Sequence, residues 1–152
     1  WDTTVVYHSR TKKDVPYRYF GNLTEMARSC DALICITPGG PSTHKIVNAE
    51  VLEALGPNGT LVNVSRGSVV DEAALIEALQ NGKLGWAGLD VFDAEPAVPQ
   101  ALRDLSNTVL LPHVGSATVE TRAAMGALTV DNLLQHLKDG TVITPVPECA
   151  HL

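Results

Sequence analysis

The chain has 152 residues, of which 45% are hydrophobic and 18% charged, with a formal net charge of −6. That length fits one domain with a real core, and the acidic balance gives no electrostatic footprint for nucleic acid or an anionic membrane. The cysteines Cys30, Cys35 and Cys149 lack metal-ligand spacing, so no metal site is expected, and Cys35 reads as a small core residue. An odd cysteine count fits a reducing cytosol, and no stretch has the length and apolarity of a signal peptide or membrane span. A soluble, cytoplasmic protein is expected.

Short β-rich runs alternate with helical stretches, the pattern of a parallel sheet covered by helices. Thr3 to His8 is rich in β-branched residues and predicts a strand. Asn22 with Glu25 is a capping signal for a helix that ends near Cys30. Ala32 to Ile36 is nearly all apolar and is expected as a central strand. Prolines and glycines from Thr37 to Pro41 then break the ladder. Asn48 caps a short helix to about Leu55, and Gly56 to Gly59 is a turn.

Thr60 to Ser65 predicts a further buried strand. Asp71 caps a helix through about Asn81, and Gly82 stands where a left-handed residue is wanted. Gly85 to Val91 and Thr108 to Leu111 complete the strands. The longest helix runs from about Thr118 to Lys138, with Val119, Ala123, Met125, Ala127, Val130, Leu133, Leu134 and Leu137 near a helical period. Asp139 and Gly140 end it. The tail from Thr141 to Leu152 is expected to dock against something rather than form a core element. There are no internal repeats or low-complexity segments.

In an open α/β sheet, ligands bind beyond the carboxyl ends of the strands. Arg66, Glu95 and His113 each lie just past a predicted strand. Arginine offers a planar fork of donors that matches a carboxylate, although a surface arginine at a strand end is an equal reading by position alone. Histidine titrates near neutral pH and suits acid–base work, yet a lone histidine after a proline is usually a loop residue. His8, His44, His136 and His151 are weaker candidates, placed at a strand end, in a loop, on a helix and at the terminus. Glu95 could fix the tautomer of His113 and stabilise its protonated form, or be a solvated loop carboxylate. Asp90 interrupts the apolar run Leu89 to Phe92, where a carboxylate is costly without a partner.

His8 to Lys13 follows the first strand with a hydroxyl and basic groups, and no acidic residue occurs before Asp14. At the corresponding place in a dinucleotide fold, an acidic residue suits NAD and a basic one suits the extra phosphate of NADP. The stretch therefore points to NADP(H), with NAD(H) open, or else to an exposed basic turn. A dinucleotide fold normally opens with a strand, a Gly-x-Gly-x-x-Gly turn and a helix. No such motif occurs in the chain, which reads as a fragment or as a protein with a missing first half.

Three stretches, Asn63 to Leu75, Gly88 to Pro96 and Leu111 to Thr118, occur together in this order and spacing. With them, nearly the whole chain from Val5 to Pro147 resembles the D-isomer-specific 2-hydroxyacid dehydrogenases, most closely their glyoxylate/hydroxypyruvate reductase branch. The resemblance implies a Rossmann-like parallel sheet with flanking helices that lacks its first strand–turn–helix unit. Residues 1–117 would be a partial dinucleotide-binding domain, and 118–152 the crossover helix and tail of a substrate domain that is mostly absent.

The same resemblance implies roles. Arg66 would bind the substrate's carboxylate and keto oxygen, His113 would be the general acid/base, and Glu95 its partner. Asp90 would hold the nicotinamide carboxamide. Thr37, Pro38, Val64 and Ser65 would line the cofactor, with Gly115 and Ser116 close to the nicotinamide and substrate. His8, Ser9 and Arg10, with Lys12 beside them, would meet the adenosine end and the 2′-phosphate. The implied reaction is NAD(P)H-dependent reduction of a small 2-keto acid to a D-2-hydroxy acid, in a homodimer that binds neither nucleic acid nor membrane.

Without a glycine-rich phosphate loop, the 152-residue chain alone is expected to show negligible hydride transfer. Corepressors that sense nucleotide on the same fold are the alternative, and the extended disordered tail that would favour them is missing. Formate dehydrogenases are disfavoured by the carboxylate of Glu95, where glutamine is expected. Phosphoglycerate dehydrogenases often append a regulatory domain, but short ones stay open.

Overall fold

A computed structural model describes residues 3–149. They form two compact units, one ending at His113 and the other starting at Val114. The first holds two parallel sheets. Strands β1 (Val6–His8) and β2 (Arg18–Phe20) pair in register from Val6 with Arg18 to His8 with Phe20. Strands β3 (Ala32–Cys35), β4 (Thr60–Asn63), β5 (Trp86–Leu89) and β6 (Thr108–Leu110) form the second sheet, in that order.

Helices carry the chain between parallel strands, as parallel pairing requires. Helix α1 (Leu23–Arg28) leads into β3. Helices α2 (Ala49–Leu55), α3 (Glu72–Gln80) and α4 (Gln100–Arg103) link β3 to β4, β4 to β5 and β5 to β6. Local chemistry sets their starts: the side chains of Asn22, Asn48 and Asp71 accept from the N–H groups of Glu25, Val51 and Ala74. Gly82, past the end of α3, takes φ 67° as the sequence requires.

Side chains alternate across the four-stranded sheet. Leu33, Cys35, Leu61, Ala87 and Leu89 are buried with Leu52, Leu55, Leu75 and Leu79 from α2 and α3. Burial pushes the Cys35 thiol up to about 12, consistent with a core residue rather than a nucleophile. On the other side Ile34, Ile36, Val64 and Val109 are exposed.

Several elements differ from the sequence expectation. β1 begins at Val6 because its ladder to β2 starts there, so Thr3 to Val5 are not strand. The sequence pattern does not announce β2 and α4, each being too short to show a period. β3 stops at Cys35 and lies at an edge of its sheet rather than the centre, pairing with β4 alone among the described residues. Its outward Ile34 is 59% exposed, so the apolar run does not mean burial on both faces. β4, β5 and β6 each lose one or two residues to the loops that follow, and those loops carry the polar residues considered below.

The second unit is built on helix α5 (Val119–Asp139), capped by the Thr118 hydroxyl and ended by Gly140 at φ 81°. None of its residues is buried. The tail docks on it through Asn132, whose Oδ1 accepts from the N–H groups of Ile143 and Thr144, each at 3.0 Å. A 3₁₀ turn covers Pro147–Cys149. The expectations for His151 and for the last residues of the tail lie outside the described residues.

Candidate active site

Apart from His8, which closes β1, the polar residues singled out from the first unit lie on loops past the carboxyl ends of its strands. Past β5, Glu95 is fixed at both oxygens: Oε1 accepts from the Phe92 N–H at 2.9 Å, and Oε2 lies 2.8 Å from His113 Nδ1. The hydrogen bond to His113, then the one from Phe92, holds the Glu95 carboxyl below its ordinary range, with smaller help from the charges of His113 and Arg66. An ionised Glu95 selects the His113 tautomer that carries its proton on Nδ1 and turns Nε2 away from the carboxylate. The pair is accessible, with His113 half exposed and Glu95 one-third exposed at the side chain. His113 takes φ 56°, a left-handed backbone uncommon outside glycine and of order 1–3 kcal/mol in cost.

Arg66 follows β4 and is exposed, with its Nη1 donating to the Ser65 carbonyl at 2.6 Å. Its loop is held from below by Asn63, which is 1% exposed. Asn63 Oδ1 accepts from Ser65 N–H and Oγ, and its Nδ2 donates to the Arg66 carbonyl. Gly67 comes next because no side chain fits: a Cβ there would stand 2.0 Å from the Phe92 carbonyl. The Arg66 loop therefore abuts the backbone of the residue whose N–H anchors Glu95. Buried Asp90 directly follows β5, and its N–H donates to the Asn63 carbonyl at 3.0 Å.

An open cleft of about 850 Å³ runs beside Arg66, lined by residues 36–40 and 64–66. It therefore gathers Thr37, Pro38, Val64 and Ser65 with Arg66. Its walls are mixed, with Ile36 and Val64 apolar and Arg66 cationic. The Thr37 hydroxyl is buried and has no hydrogen-bond partner among the described residues. A cleft of this character at strand ends suits a flat heteroaromatic ring beside an anion.

His8, Ser9 and Arg10 lie at the end of β1. His8 is turned to the backbone, its Nδ1 2.9 Å from the Phe20 carbonyl. Ser9 Oγ donates to the Thr11 carbonyl at 2.6 Å. The loop is anchored by two residues that the sequence reading passed over. The Tyr7 hydroxyl donates to the Lys13 carbonyl and accepts from the Lys13 N–H, while the Tyr19 hydroxyl donates to the Ser9 carbonyl. Their rings pack 5.4 Å apart. The pairing of β1 with β2 brings them together, and no local signal announces it. Gly115 and Ser116 belong to the second unit, as does His136, whose Nδ1 lies 3.1 Å from the Gly140 carbonyl. Among the described residues, no cluster of three or more His, Cys, Asp or Glu could hold a metal, and no helix is long and apolar enough to cross a membrane.

Fold and strand-end loops define a nucleotide-binding α/β domain of the dehydrogenase type. Residues 1–115 match the NAD-binding domain of the D-isomer specific 2-hydroxyacid dehydrogenases, and the chain belongs to that family. It is 50% identical over 147 residues to the hydroxyphenylpyruvate reductase of Plectranthus scutellarioides, covering 96% of this chain and 47% of that protein. It is also 50% identical to a glyoxylate/hydroxypyruvate reductase A of Arabidopsis thaliana, over 92% of this chain and 45% of the relative. Among solved structures, the NADPH-dependent glyoxylate/hydroxypyruvate reductase of Sinorhizobium meliloti, in complex with NADP and malonate, superposes with a TM-score of 0.94 at 53% identity. That match covers 97% of this chain and 46% of the other. The chain spans about half the length of the relatives it matches.

Proposed function

We propose that these residues belong to an NADPH-preferring reductase that converts small 2-keto acids of the glyoxylate and hydroxypyruvate class to D-2-hydroxy acids. The Glu95–His113 pair carries this reading, since it gives a proton donor with a fixed tautomer beside the Arg66 loop. The likeness to reductases of glyoxylate and hydroxypyruvate, one of them holding NADP, supports the substrate class and coenzyme. The basic loop of Ser9, Arg10 and Lys12, free of carboxylates, supports preference for the phosphorylated coenzyme.

Arg66 would grip the substrate carboxylate with its planar fork and draw the keto oxygen toward His113. His113 would deliver a proton from Nε2 to that oxygen, and Glu95 would stabilise the imidazolium before transfer. A bound nicotinamide supplies the hydride. Thr37, Pro38, Val64 and Ser65 would line its pocket, Asp90 would orient its carboxamide, and Gly115 and Ser116 would stand near the reacting centre. Helix α5 and the tail would belong to the substrate domain, and the intact enzyme would be a homodimer.

The test is a coupled assay on the intact protein. Glyoxylate should drive NADPH oxidation, and His113→Ala should lower turnover by roughly 10²–10⁴-fold, the scale of general acid–base catalysis. A fall of less than tenfold removes His113 from that role. No keto-acid-dependent oxidation at all would favour a nucleotide-sensing binding protein on the same fold. Repeating the assay with NADH reads the coenzyme preference.

A further inference from the structure

We infer that Asn63 is a positioning residue for Arg66, acting through the backbone of the loop rather than by touching substrate; this rests on the anion-anchor reading of Arg66 given above. β4 ends at Asn63, and its side chain turns back under the chain that follows. Oδ1 receives the Ser65 N–H at 3.1 Å and the Ser65 hydroxyl at 2.8 Å, while Nδ2 donates to the Arg66 carbonyl at 3.0 Å. A peptide N–H can only donate and a peptide carbonyl can only accept. The two backbone partners therefore fix which end of the amide points where. Only a side chain with a donor and an acceptor at this short reach satisfies both.

The site is buried, so a change that removes one end of the amide leaves the group held by that end without a partner. An aspartate is the same size but meets the Arg66 carbonyl with an oxygen instead of an N–H. The backbone at Arg66 must then move. It cannot move freely, because Gly67 already lies against the Phe92 backbone. Phe92 in turn donates to Glu95, and Glu95 holds His113. Asn63 also receives the Asp90 N–H on its own carbonyl. One buried amide thus sets the guanidinium relative to the carboxylate–imidazole pair, and the cost of losing it falls on substrate binding.

The alternative is an Asn63 that only caps the strand and stabilises the fold. A double-mutant cycle on the full-length enzyme separates the two. Asn63→Asp should raise the KM for glyoxylate and lower kcat/KM about tenfold or more, the scale of one buried hydrogen bond left unmade, with NADPH affinity within about threefold of wild type. In an Arg66→Ala background the same change should lower kcat/KM less than about threefold, since the group it positions is gone. Equal fold losses in both backgrounds would overturn the inference while leaving Arg66 as the anchor. An Arg66→Ala enzyme with unchanged KM would instead overturn the anchor reading, and the inference with it. If Asn63→Asp does not fold, Asn63→Ser enters the same cycle, and kcat/KM for glyoxylate carries the same expectation and the same overturning result.

Discussion

Glu95 shows how far one carboxylate can be specified by its neighbours. Its oxygens are divided between a backbone N–H and an imidazole, and both favour the ionised form. A carboxyl lowered in the folded state stabilises the fold fully above its ordinary value of about 4.3, and that contribution fades as pH falls through the folded value. Wild type should therefore melt above Glu95→Gln by a constant margin between about pH 5 and 6, and the margin should shrink as the solution is acidified further. Thermal denaturation of the two proteins across that range reads it. A margin that grows on acidification would show that the ionised carboxylate is not what Phe92 and His113 hold.

At the level of elements, the work is done where strands stop. β4 and β5 end early, and the loops released from them meet back to back at Gly67 and Phe92. Gly67→Ala should therefore separate the two loops and destabilise the protein by about 1–3 kcal/mol, the usual scale of an inserted methyl in a filled space. A melting temperature equal to wild type would show that the loops part without strain. These contacts mark the boundary of what could be read from the chain. Asn22, Asn48, Asp71 and Thr118 announce their helices because a cap is settled within three or four residues. Arg66, Glu95 and His113 stand out because each follows an apolar run. The closeness of Gly67 to Phe92, the Tyr7 and Tyr19 anchors and the strand β2 depend on pairing between distant segments, which no local pattern carries. The apolar run of β3 misled for a related reason, since composition reports what a face can bury but not what covers it.

Across the whole first unit, parallel pairing is split into a ribbon of two strands and a sheet of four. The ribbon has only three paired positions, whereas β4 is flanked on both sides. A two-stranded pair is marginal by itself, so the two pieces should open independently and at different free energies. In amide hydrogen exchange on this chain, β1 and β2 should lose protection at least about tenfold faster than Leu61 to Asn63 in β4. Matching rates would mean that the ribbon opens only when everything does. The consequence falls on residues 9–13, which extend from the ribbon and are the stretch proposed to meet the coenzyme's extra phosphate. Recognition of that phosphate would then sit on the part of the unit that opens most readily, and coenzyme binding would slow exchange there first.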